Sequence, residues 1–293
     1  SRWMEARAGY RREAGAVVLG TTPMTEFGMS PLGGNVHRVM PRNAHRDDRL
    51  PGGSSSGSGV AVACGVVPIA LGADGGGSIR IPAAYNGVFG IKPTFGRVPV
   101  VGHGLPGGSS VVHLGPIGAS SHDLAVFLEA ASGPDPRDAS SERQPVFEQN
   151  ELAEAIGRGV RGLRIGVDED EWAAASPMVR SKGRDALDAL EKEGAVLVPV
   201  SMLLAKHASA IGYLTIGIEV ATNLATVRRA HFDELGLDLQ LLLANLETFP
   251  PDGSPVASGS SIAANPARSR PYTLRAAWSS GIPAAAWPRK SRR

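Results

Sequence analysis

Residues 52–94 read GGSSSGSGVAVACGVVPIALGADGGGSIRIPAAYNGVFGIKPT. Two serines in glycine settings, Ser54 and Ser78, stand 24 residues apart. Gly75, Gly76 and Gly77 run directly into Ser78, and Ile79 and Arg80 follow. Glycine adopts φ > 0 at little cost, so a glycine triplet lets successive N–H groups turn toward one point. Such a turn ahead of a helix is an anion site. When a serine closes it, the same N–H groups can hold the oxyanion formed by that serine's attack on a carbonyl. The small, apolar segment between the serines predicts a helix over 55–65 and a strand over 67–73 that feeds the glycine turn. A further helix is expected over 78–86, with Pro82 confining it to about its first turn.

Other readings of the same glycines fail on context. GGSSSGSG has linker composition, but VAVACGVVPIALGAD follows at once and does not. GADGGGS is not followed by the Gly-Lys-Ser/Thr of a phosphate loop. Gly102, Gly104 and Gly107 formally match a dinucleotide fingerprint, with Asp123 downstream, yet Gly108 and two serines follow instead of a helix.

GGSSSGS, GADGGGSIRIPAA, GVFGIKPT and the serine spacing together resemble the amidase signature family of serine amidohydrolases, which includes fatty-acid amide hydrolase and the A subunit of glutamyl-tRNA amidotransferase. Weaker likeness runs from GAVVLGTTPMTEFGMSPLGGN, starting at Gly15, to GPIGASSHDLAVFLEAASGPDPRD, ending at Asp138, and none is visible after Phe249. The resemblance implies a three-layer α/β/α fold with a mixed sheet, incomplete at its N-terminus. It assigns Ser78 as nucleophile and Ser54 as a bridging serine, held by a cis peptide, that relays protons. The N–H groups of Gly75, Gly76, Gly77 and Ser78 would form the oxyanion hole. Asp74 and Arg80 would brace the turn, and Gly28 would meet the substrate amide. The hydroxyls of Ser54 and Ser78 are expected about 3 Å apart. No cofactor and no metal are implied.

In this family the base is a buried lysine upstream of the bridging serine, and residues 1–53 contain no lysine. The lysines are 92, 182, 192, 206 and 290, and Lys92 matches a non-catalytic family position. The expected function is therefore amide C–N hydrolysis by a Ser-cisSer-Lys mechanism whose lysine this chain lacks, leaving it weak or inactive alone. The alternatives are a non-catalytic amidase remnant or subunit, and the A subunit of a tRNA-dependent amidotransferase. The GGSSSGS and GADGGGS variants look closer to the free hydrolases. The expected partner is a small-molecule amide, with a homodimer left open.

The chain has 293 residues, 42% hydrophobic and 20% charged, which is globular composition. Residues 249–293 carry seven Arg/Lys and one Asp, so the net charge of +2 hides a mildly acidic body. That body does not read as a nucleic-acid surface. Residues 1–248 are expected to form a partial amidase domain and 249–293 a disordered basic Pro/Ser/Arg-rich tail. Cys64 is the only cysteine. It cannot form an internal disulfide, which suits the cytoplasm, and its apolar surroundings predict a buried thiol. The longest apolar run, 60–71, is too short for a membrane span.

Outside the signature, AVVLG at 16–20 and residues 111–117 read as strands. Residues 122–132 predict an amphipathic helix with Leu124, Phe127, Leu128 and Ala131 on one face. Residues 163–167 and 195–200 read as a parallel strand pair around a helix at 178–193. Residues 203–246 read as helical.

Overall fold

The computed structural model describes residues 15–101 and 109–246. The formal fingerprint at Gly102, Gly104 and Gly107 and the basic tail at 249–293 lie outside the described residues. Helix α1 spans Ser56–Ala63. Strand β1, Ile69–Asp74, follows, then α2, Arg80–Tyr85, β2, Phe89–Gly90, and β3, His113–Gly118. The three strands form an antiparallel sheet in the order β1-β3-β2, with Asp74 paired to His113 and Ile69 to Gly118. Pro82 is the third residue of α2, where its missing N–H would have had no intrahelical acceptor.

Helix α1 buries its small face. Ser56, Gly57, Ser58, Gly59 and Val62 are buried. The Gly57 N–H donates to the Pro23 carbonyl at 2.9 Å, and a methyl group built on Gly57 would lie 2.6 Å from that oxygen. Two glycines in eight residues make a poor isolated helix, so packing stabilises α1. Its hydroxyls also seal the outer edge of β1. Ser58 Oγ donates to the Leu71 carbonyl at 2.7 Å, and Ser55 Oγ accepts from the Ala73 N–H at 3.2 Å.

Two expectations are corrected. AVVLG at 16–20 is not a strand: it is irregular, with Val17 82% and Leu19 70% exposed. A short apolar run becomes a strand only when another strand pairs with it, and among the described residues none pairs with 16–20. Cys64 is exposed rather than buried, because it caps the C-terminus of a helix whose serine and glycine face is the one turned inward.

Helix α3, Ser121–Ala131, starts at Ser120, whose Oγ accepts from the Asp123 N–H at 3.1 Å. Phe127 and Leu128 pack with Val98 and Leu114 in one core cluster. Helix α4, Glu151–Gly157, follows. Strands β4, Arg164–Val167, and β5, Val196–Pro199, pair in parallel, joined by α5, Glu169–Ala174, and α6, Pro177–Lys192. Ser176 and Pro177 at the start of α6 are an N-cap and an N1 proline. Helices α7, Ala205–Asn223, α8, Ala225–His231, and α9, Leu237–Leu246, bury Val220, Leu224, Leu235, Leu239 and Leu243 against Phe27, Met29 and Ile216. The fold is α/β, with antiparallel and parallel pairings divided between two sheets. Among the described residues no single helix is long and apolar enough to cross a membrane.

Gly57→Ala should lower stability by about 1–3 kcal/mol, because the new methyl meets backbone that cannot swing away. Gly34→Ala, with nothing within 4 Å of its Cβ position, should stay within about 0.5 kcal/mol of wild type in the same urea titration.

Candidate active site

Beyond β1 the chain turns through Gly75, Gly76, Gly77 and Ser78 into α2. Asp74 sets this turn. Its side chain is fully buried. Its Oδ1 accepts the Gly77 N–H at 2.7 Å and its Oδ2 the Ile79 N–H at 3.1 Å. Arg80 returns across the turn and grips both oxygens, Nε to Oδ2 at 3.0 Å and Nη2 to Oδ1 at 2.9 Å. Burial alone would raise the Asp74 pKa. The Arg80 guanidinium and the Ile79 and Gly77 N–H groups outweigh it and hold the carboxyl below its usual range. The same pairing raises the Arg80 pKa.

The Gly77 N–H is thus committed to Asp74. Among the described residues no acceptor takes the N–H of Gly75, Gly76 or Ser78. Gly76 is exposed and Ser78 half-buried, so the turn is open to a ligand. Within the triplet, only Gly77 has positive φ, at +130°. A methyl group there would also lie 2.7 Å from Ile81 Cδ1, whereas one on Gly76 would meet nothing closer than 3.8 Å. The strict glycine requirement therefore falls on Gly77.

Ser54 reaches this turn through its neighbour. The Ser55 N–H donates to the Ser78 carbonyl at 3.2 Å. Ser55 Oγ also exchanges bonds with the Ala73 backbone, so one residue ties the Ser54 loop to both ends of the Asp74 turn. Sequence reasoning did not single out Ser55; only its place between two glycine-flanked segments hinted at it. The Gly53–Ser54 peptide is cis. The Ser54 carbonyl accepts the Thr25 N–H at 3.1 Å. The hydroxyls of Ser54 and Ser78 do not share a hydrogen bond, unlike the expected 3 Å contact. The main chain aligns the segments, but among the described residues no third group accepts from either hydroxyl to fix its rotamer.

Gly28 adjoins Ser54. Phe27 and Gly28 both take left-handed conformations, with φ of +46° and +76°. A methyl group on Gly28 would lie 3.4 Å from Ser54 Oγ. Lys92 does not approach the serines as a base would: its Nζ donates to the Pro93 carbonyl at 2.9 Å. His113, opposite Asp74 in the sheet, was not singled out from the sequence either. Its Nδ1 lies 2.8 Å from the Val111 carbonyl and 3.2 Å from that of Asp74. Both partners are acceptors, so Nδ1 carries the proton. Burial, then the charge of Lys92, push the His113 pKa down.

A buried, braced carboxylate thus lies behind an open glycine turn, with a second serine segment tied to it. The chain belongs to the amidase family, whose model matches residues 10–248. The A subunit of glutamyl-tRNA(Gln) amidotransferase from Shouchella clausii is 43% identical over 215 residues, 73% of this chain and 44% of the relative. The Thermus thermophilus protein of that name is 40% identical over 223 residues, 75% of this chain and 46% of the relative. A chain of a vestigial protein complex that reveals the origins of an s-triazine catabolic enzyme superposes with TM-score 0.75 at 32% identity, over 83% of this chain and 52% of that one. Peptide amidase from Stenotrophomonas maltophilia superposes with TM-score 0.68 at 29% identity, over 85% of this chain and 56% of the other. The chain thus spans about half the length of the relatives it matches.

Asp74 supplies a pH signature. Its folded pKa is lowered, so the stability it contributes is complete above the unfolded value of about 3.9 and is lost as pH falls through the folded value. Asp74→Asn should cost about 1–3 kcal/mol at pH 7, discounted because the Arg80 side chain is 52% exposed. The gap between variant and wild type should shrink on acidification below about pH 4 in urea titrations. A gap that stays constant to about pH 2 would contradict the brace.

Proposed function

We propose that this chain carries the serine-bearing part of an amide-hydrolysing site, with Ser78 as nucleophile. Ser78 Oγ attacks the amide carbonyl carbon, the C–O bond forms, and the carbonyl oxygen takes the negative charge. The unclaimed N–H groups of Gly75, Gly76 and Ser78 receive that charge. Gly77, also expected in the hole, shapes it while its own N–H holds Asp74. Collapse of the intermediate breaks the C–N bond and leaves an acyl-serine, which water then hydrolyses. Ser54 relays the Ser78 proton toward a base and back to the leaving nitrogen. Asp74 and Arg80 keep the turn in shape, and the Gly28 backbone receives the substrate amide. The observation that carries this reading is the set of three unclaimed N–H groups beside Ser78 on a turn pinned from behind by Asp74.

Organic boronic acids test it without requiring turnover. Boron replaces the carbonyl carbon, the Ser78 oxygen adds to it, and the proton leaves to solvent. Boron NMR of the 293-residue chain with phenylboronic acid should show a tetrahedral adduct that vanishes in Ser78→Ala. No adduct, or one that persists in Ser78→Ala, overturns the assignment.

Turnover by these 293 residues alone should be slow. Residues 1–53 hold no lysine, and Lys92 is bonded elsewhere. Lack of a general base typically costs about 10²–10⁴-fold. Fast hydrolysis of aryl or alkyl amides that disappears in Ser78→Ala would show a base within this chain. A second reading, a component of an amidotransferase, is supported by identities of 39–43% to relatives of that name. In that reading Ser78 plays the same part, and the ammonia released passes to a second reaction.

A further inference from the structure

Helix α7 reaches the glycine turn from far along the chain and lays one side chain on it. A methyl group built on Gly75 would lie 2.8 Å from Ile216 Cδ1 and 3.4 Å from Val112 Cγ2. The same Ile216 atom would lie 3.8 Å from a methyl on Gly76. On the other side of the turn, Ile81 Cδ1 faces Gly77. The turn that presents the unclaimed N–H groups is therefore flanked by aliphatic carbon.

Ile216 is held in place from two sides. It packs on the buried cluster of Val220, Leu224, Leu239 and Leu243. One turn further along α7, the Glu219 carboxylate accepts from Ser109 Oγ at 2.7 Å and from the Ser110 N–H at 3.2 Å, with a further bond from the Ser110 hydroxyl. Glu219 is thus engaged with Ser109 and Ser110, and Asp74 and Arg80, which flank the turn in sequence, are engaged with each other, rather than free to meet a substrate charge.

We propose that Ile216 is a specificity-determining residue that forms an apolar wall for the acyl group, selecting amides whose acyl carbon carries an apolar substituent. This rests on the Ser78 reading. A carbonyl oxygen seated on the Gly75 and Gly76 N–H groups places the neighbouring acyl carbon within van der Waals reach of whatever touches those glycines. Burying apolar atoms there is favourable, and a charged group would lose its hydration without a partner.

The experiment measures dissociation constants for methylboronic and butylboronic acids, whose organic group stands in for the acyl group. Wild type, Ile216→Val and Ile216→Ala are compared by boron NMR, with thermal melting as a check on folding. Ile216→Val removes only Cδ1, the atom that touches Gly75, and keeps the rest of the side chain. Wild type should prefer butylboronic acid. Ile216→Val should reduce the butyl-to-methyl affinity ratio by about tenfold, and Ile216→Ala by more, with the tetrahedral adduct retained. An unchanged ratio in Ile216→Val, with that adduct present, overturns the role of Ile216 and leaves Ser78 standing. Absence of the adduct in wild type overturns the Ser78 reading and this one with it.

Discussion

A single buried carboxylate organises the site. Asp74 ends β1 with no exposed surface, and a charge there is tolerated only because it is fully bonded. The Gly77 and Ile79 N–H groups and the Arg80 fork supply those bonds. In meeting its own needs, the carboxylate bends the chain through Gly75–Ser78, and among the described residues no acceptor takes the remaining amides of the turn. Replacing Arg80 by lysine would not restore the planar two-point grip. The brace and the unclaimed amides are two sides of one constraint: Asp74 takes the Gly77 N–H and leaves those of Gly75, Gly76 and Ser78 without an acceptor among the described residues.

The second constraint is how the Ser54 loop is brought to that turn. Ser55 contributes its N–H to Ser78 and its hydroxyl to Ala73, while the close-packed glycines of α1 let the helix lie against Pro23 and Pro82. Larger residues at Gly57 or Gly59 would push α1 away, and Ser54 with it.

Much of this was legible in the sequence, for a local reason. The resemblance implied that Asp74 and Arg80 support the glycine turn, and the two side chains are paired across it. The helices at 122–132 and 178–193 were legible from periodicity, and the parallel strand pair from β-α-β spacing. What was misread depended on distant contacts. AVVLG has strand composition, but a strand needs a pairing partner, and among the described residues none pairs with it. Cys64 sits in an apolar run, but α1 turns its serines and glycines inward, the reverse of the usual amphipathic pattern. Neither Ser55 nor Ile216 carried a sequence signal, because their roles arise from contacts 18 or more residues away.

Asp74 divides the amides of the turn into one that is committed and three without an acceptor among the described residues. Residue-resolved hydrogen exchange of the backbone amides measures that division directly. The Gly77 and Ile79 amides should be strongly protected, and those of Gly75, Gly76 and Ser78 should exchange quickly. Asp74→Asn should accelerate Gly77 and Ile79 toward their neighbours. Equal protection across Gly75–Ser78, or a Gly77 amide that exchanges as fast as Gly76, would contradict the account.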